Sequence, residues 1–184
     1  MKFKEKKVSF LLLLPLLFPY IILFSLICIF TNTLMEKIFH NNGLYLILLL
    51  IITYIIALFS SIIFCVKNIL IKINSQKLLY INMIIKLIQI PAYILIFIFS
   101  LLCLLTIFTM GISIVLMIFD VCSILLTGII GLAGIIRCLI ENKLPKKTII
   151  IYGILQFVFC VDIIASKKIY NKIKKVNNNE YKSN

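Results

Sequence analysis

The sequence predicts an all-α integral membrane bundle of five transmembrane helices, alternatively four, plus an amphipathic helix in the interface. Three observations carry that prediction. The 184 residues are 63% hydrophobic and only 14% charged, where a soluble domain is about half apolar and about a quarter charged. Apolar runs recur at about the 20 residues that one helical crossing of the hydrocarbon core needs. The basic residues collect at the ends of those runs, where they meet anionic headgroups. A mean hydropathy of +1.19 leaves too little polar surface to cover a water-soluble globule.

Residues 1–7 (MKFKEKK) form a basic head before a first span over 8–31. That run is about twice as long as a signal-peptide core and lacks a small-residue cleavage site, so a retained helix is expected. Pro15 and Pro19 kink it, which membrane helices tolerate. A polar loop with Glu36, Lys37 and His40 leads to a second span over 44–66. Over 75–90, Ser75, Asn82, Lys86 and Gln89 fall in one narrow sector opposite Leu, Ile and Met. That pattern predicts an interfacial helix, capped at its start by Asn74 or Ser75. Pro91 then opens the next helix at its first turn.

The stretch 91–136 holds one charged residue, Asp120, and reads as a hairpin of two crossings. A turn at 109–113 gives spans over 92–109 and 114–136. A turn at 120–123 instead makes Asp120 a helix cap. Gly111 is the only turn-forming residue before Gly128, which favours the first. A polar loop at 137–147 precedes a marginal fifth segment over 148–165, either a crossing or re-entrant. Ile169, Ile173 and Val176 keep helical spacing beyond it, and 171–184 is expected to be a basic, disordered tail.

Threading follows from charge. With the amino terminus cytoplasmic, twelve Lys and Arg lie inside, against Lys37 and six tail lysines outside. The positive-inside rule favours that orientation in a cell membrane. Five crossings then send the basic tail outward, which four would avoid.

The net charge of +13 does not point to nucleic acid, because no basic patch interleaved with aromatics sits on a polar fold. The expected partners are a bilayer with anionic headgroups and a second membrane protein or a second copy. The cysteines 28, 65, 103, 122, 138 and 160 form no C-x-x-C pair and read as small buried hydrophobes. No metal signature, phosphate loop or base–nucleophile set is present, so no cofactor, metal or enzymatic activity is expected.

Charged and polar groups inside the bilayer are the functional candidates. Asp120, Gln156 and Asp162 qualify. On five spans the two carboxyls fall at similar depth, where they would share a proton or hold a cation; the plainer alternatives make Asp120 a cap and pair Asp162 with Lys167 or Lys168. Thr127, Gly128, Gly131, Ala133 and Gly134 form a small-residue face for close helix packing, within the bundle or in a homodimer. Arg137 and Glu141, four apart, pair at the end of that helix.

The runs NMIIKLIQIPAY (82–93), GLAGIIRCLIENKL (131–144) and LQFVFCVDIIASKKIY (155–170) together resemble an uncharacterised family of small multi-spanning membrane proteins of clostridia and related low-GC Gram-positive bacteria. The resemblance covers about half the chain and skips the first two spans. It implies a Gram-positive plasma membrane and lends no catalytic or binding residue. The expected function is a non-enzymatic accessory or immunity-type component acting through helix–helix contacts. The alternative is a small ion, proton or solute transporter or channel using the Asp120/Asp162 region.

Overall fold

The computed structural model describes the backbone of residues 2–105 and 107–183, and the side chains of 11–105, 107 and 109–179. The described residues form helices α1 (Lys2–Phe30), α2 (Asn32–Phe39), α3 (Gly43–Leu70), α4 (Ser75–Leu104), α5 (Met110–Ile140), α6 (Lys146–Leu155) and α7 (Val161–Ser183), with a 3-10 turn at Ile107–Thr109 and no strand among them. Four stretches are long and apolar enough to cross a membrane: Leu11–Phe30, α3, α4 and α5. The chain is a multi-pass helical membrane protein. At 1.5 Å per residue a 30-residue helix reaches about 45 Å, the thickness of a bilayer with its headgroups. Outward side chains such as Ile52, Ile56, Phe97 and Met117 are about half exposed or more; facing lipid tails, they need no protein partner.

Four expectations are corrected. The interfacial helix over 75–90 and the span over 92–109 are one helix, α4, with Pro91 inside it. Its polar sector points inward: Ser75, Asn82, Lys86 and Gln89 are buried, whereas Tyr80, Leu87 and Ile88 are exposed. An amphipathic pattern has the opposite sense in lipid, where the polar stripe must find partners inside the protein. The break in the hairpin falls before Gly111: α4 ends at Leu104 and α5 begins at Met110, so Gly111 lies within α5. Asp120 is therefore mid-helix and caps nothing. The segment 148–165 is not one span, since α6 ends at Leu155 and α7 begins at Val161. Of the tail expected over 171–184, residues 171–183 are not disordered: α7 runs to Ser183, with Ile169 and Ile173 fully buried and Asn177 donating to Gln76 Oε1 at 2.5 Å, and residue 184 lies outside the described residues.

Backbone proximity divides the chain into two compact units, Met1–Ser60 with Gln89–Ser123, and Ser61–Ile88 with Ile124–Asn184. In the first, α1 carries Pro15 and Pro19. A proline has no N–H, so each deprives the carbonyl four residues earlier of its helical donor. Those carbonyls are Leu11 and Pro15, and both are met from other helices. The Ser60 hydroxyl donates to the Leu11 carbonyl, and Gln89 Nε2 donates to the Pro15 carbonyl at 2.8 Å. The Tyr93 hydroxyl donates to Gln89 Oε1 at 3.3 Å, orienting the amide. Phe18, fully buried between the two prolines in the sequence, packs on the rings of Tyr54 and Phe119.

In the second unit, Leu79, Ile135, Cys138, Ile149, Ile169 and Ile173 form the apolar core. Asn74 caps α4, its Oδ1 accepting from the Gln76 N–H at 2.8 Å.

Candidate functional site

The site is built on the inward stripe of α4 within the second unit. Asn82 and Lys86 are one turn apart on the same face, with side chains that only other polar groups can satisfy. The partners come from the break between α6 and α7. Lys86 Nζ lies 2.9 Å from Asp162 Oδ2, the two side chains 1% and 4% exposed. The same ammonium donates to the Gln156 carbonyl at 3.2 Å.

That second contact explains the break. The residues 157–160 (FVFC) contain neither glycine nor proline, and nothing in their composition ends a helix. Gln156, however, caps the C-terminus of α6, and its carbonyl is taken by Lys86 instead of an N–H four residues on. Cys160 then adopts φ 62°, a left-handed conformation that turns the chain into α7. A cation at the C-terminus of α6 and Asp162 in the first turn of α7 each match the local helix dipole. Lys86 thus complements one helix end directly and the other through its counter-ion.

Around the ion pair the polar groups interlock. Asn82 Nδ2 donates to Gln156 Oε1 at 3.1 Å and to Ser166 Oγ at 3.0 Å. The Ser166 hydroxyl lies 3.0 Å from Gln156 Oε1 and 2.8 Å from the Asp162 carbonyl. Asn82 Oδ1 and Gln156 Nε2 are buried and have no hydrogen-bond partner among the described residues.

Glycines make room for this arrangement. A Cβ on Gly131 would sit 2.7 Å from Gln156 Oε1 and 2.9 Å from Asn82 Nδ2. One on Gly134 would sit 2.8 Å from Leu79 Cδ2, and one on Gly128 would overlap the Phe157 ring. The small-residue face of α5 is therefore covered by the chain's own α4 and 156–157 segment. Thr127 and Ala133 on that helix are also fully buried, and Thr127 Oγ1 donates to the Ile124 carbonyl at 3.2 Å.

At the end of α5, Arg137 and Glu141 pair as expected, Nη2 to Oε1 at 2.9 Å. Arg137 Nε also donates to the Ile73 carbonyl at 2.9 Å. Lys143 lies 3.1 Å from Glu141 Oε2, and the Ser75 hydroxyl donates to the same oxygen at 2.6 Å. Burial raises the Glu141 carboxyl, but hydrogen bonds from Ser75 and Lys143 outweigh it, leaving its pKa below the ordinary 4.5.

Of the sequence candidates, Gln156 and Asp162 come together within the second unit. Asp120 belongs to the first unit, partly buried, with Oδ1 lacking a hydrogen-bond partner among the described residues. Asp162 is the counter-ion of Lys86 rather than of Lys167 or Lys168, which are exposed. Its charge is already matched, so it does not need a shared proton or a cation. Among the described residues no group of three His, Cys, Asp or Glu side chains could hold a metal. Lys86, Asn82 and Ser166 were missed as site residues; for Lys86 and Asn82 the α4 stripe was the signal, read with the wrong sense, and Ser166 stands one turn beyond Asp162 on α7. No family model, curated protein or solved structure matches the chain.

Proposed function

We propose that this is a non-enzymatic accessory or immunity-type component of a bacterial cell membrane, with its amino terminus cytoplasmic, acting through helix–helix contacts with another membrane protein. The observation that supports this reading is the use made of its buried polar groups. Lys86 and Asp162 neutralise each other and tie the α6–α7 break to α4, so the principal buried charges build a scaffold. The small face of α5 is occupied within the chain, which leaves the outward apolar faces of α3 and α4 for a partner helix. Cysteine-free protein carrying single cysteines at Ile52 or Ile56 on α3 provides the test, through crosslinking in the native membrane. One identified membrane protein captured from these positions, and not from positions on the opposite face, is the expected result. Crosslinks to lipid alone would overturn the reading.

A second reading, a small ion, proton or solute transporter or channel, is favoured by a different observation. Discontinuous membrane helices with unpaired polar groups are where transporters bind their cargo. Beside the α6–α7 break, Asn82 Oδ1 of α4 and Gln156 Nε2 have no hydrogen-bond partner among the described residues, and α5 carries Asp120. Flux through proteoliposomes of the purified chain, lost in Asp120→Asn or Asp162→Asn, would establish this reading in place of the first.

A further inference from the structure

Helices α6 and α7 form an antiparallel hairpin in the second unit, with a groove of about 270 Å³ between them. Its chemistry is graded along its length. Near the turn the walls are Leu155, Val161 and Ile164; toward the open end they are Thr148, Lys168 and Lys172. Lys168 and Lys172 are one turn apart on the same face of α7, and both are exposed. Lys172 Nζ lies 5.2 Å from the centroid of the Tyr152 ring, which steadies the ammonium over the groove by a cation–π contact. The apolar wall is only partly covered, Ile164 being 55% exposed.

An apolar slot with two cations at one end complements an amphiphile with an anionic head. We infer that this groove is a site for an anionic phospholipid, with a stretch of acyl chain against Leu155, Val161 and Ile164 and the phosphate between Lys168 and Lys172. The volume falls just below the roughly 300–1,000 Å³ of small-molecule pockets, so it takes part of one chain while the remainder stays in the bilayer. Basic residues near a membrane surface bind anionic lipid; here the apolar groove adds a fixed place for the chain. The site is independent of whether the Lys86–Asp162 pair serves as scaffold or as part of a transport path.

The test uses the full chain in detergent, with lipid binding read by native mass spectrometry. Three probes are titrated: phosphatidylglycerol, phosphatidylcholine with identical chains, and inorganic phosphate. Saturable binding of phosphatidylglycerol alone is expected. Lys168→Gln with Lys172→Gln weakens it about thirtyfold, at the usual value of each lysine for anionic lipid. The charge-matched Lys167→Gln with Lys174→Gln, on another face of α7, leaves it unchanged. Ile164→Trp fills the groove without altering charge and weakens binding as well. Binding that survives the 168/172 pair of substitutions, that Ile164→Trp leaves intact, that phosphatidylcholine matches, or that inorganic phosphate reproduces overturns the site.

Discussion

Lys86 and Asp162 stand 76 positions apart in the chain and 2.9 Å apart in space, and the pair is almost wholly shielded from solvent. Removing one member of a buried pair leaves an uncompensated charge, which typically costs about 3–5 kcal/mol, whereas replacing both by apolar residues of similar volume is often nearly neutral. Lys86→Met and Asp162→Leu should therefore each destabilise strongly. The double variant should recover much of the loss, the freed Gln156 carbonyl being what it fails to recover. Unfolding of the detergent-solubilised protein, followed by circular dichroism, reads all three. Additive losses would show that the pair does not act as a unit.

The glycines of α5 separate close approach from simple helix propensity. At Gly131 a methyl group meets the pinned ends of Gln156 and Asn82, and such overpacking costs about 1–3 kcal/mol. At Gly111 nothing lies within 4 Å of the added carbon, and alanine is preferred over glycine in a helix by about 1 kcal/mol. Gly131→Ala is expected to lower the thermal midpoint and Gly111→Ala to leave it unchanged or raise it. Equal effects would remove the steric reason for glycine at 131.

These two positions also mark how far the sequence could be read. Small residues at 128, 131 and 134 identify a packing face from spacing alone, but not which helix covers it. The stripe at 75, 82, 86 and 89 was legible as a stripe. Its sense was not, because the same periodicity serves a helix at the headgroups and one whose polar side is buried. Pro91 suggested a boundary because proline suits the first turn of a helix, whereas here it lies inside α4. The α6–α7 break has no local signal at all; it depends on Lys86 taking a carbonyl 70 residues away in sequence. Arg137 and Glu141 were legible because their contact is local, and the partner Ser75, 66 residues from Glu141, was not.

Glu141 gives the second unit a defined acid limit. Its folded-state pKa is held below the ordinary 4.5, so the unfolded chain binds a proton more readily there. The stability from this carboxylate is fully present above about pH 4.5 and is lost as pH falls through the lower, folded value. Glu141→Gln should reduce stability at neutral pH, where Arg137 and Lys143 lose their anion, and flatten the fall in melting temperature in that acid range. A variant with the parent's acid profile would place the limiting group elsewhere.

Gln89 and Pro19 make a thermodynamic cycle within the first unit. Pro19 frees the Pro15 carbonyl, and Gln89 Nε2 supplies the missing donor at 2.8 Å. Gln89→Leu leaves that buried acceptor unpaired, at a cost of about 1–3 kcal/mol. Pro19→Ala restores an N–H four residues beyond Pro15, so the carbonyl regains a helical partner and Gln89 becomes dispensable. The double variant should therefore be more stable than Gln89→Leu alone. Pro19→Ala in the parent gains less, because Gln89 then competes for an acceptor already satisfied. Unfolding free energies of the four proteins measure the coupling. A Gln89→Leu penalty of the same size with and without Pro19 would mean that the amide does not compensate for the N–H that Pro19 lacks.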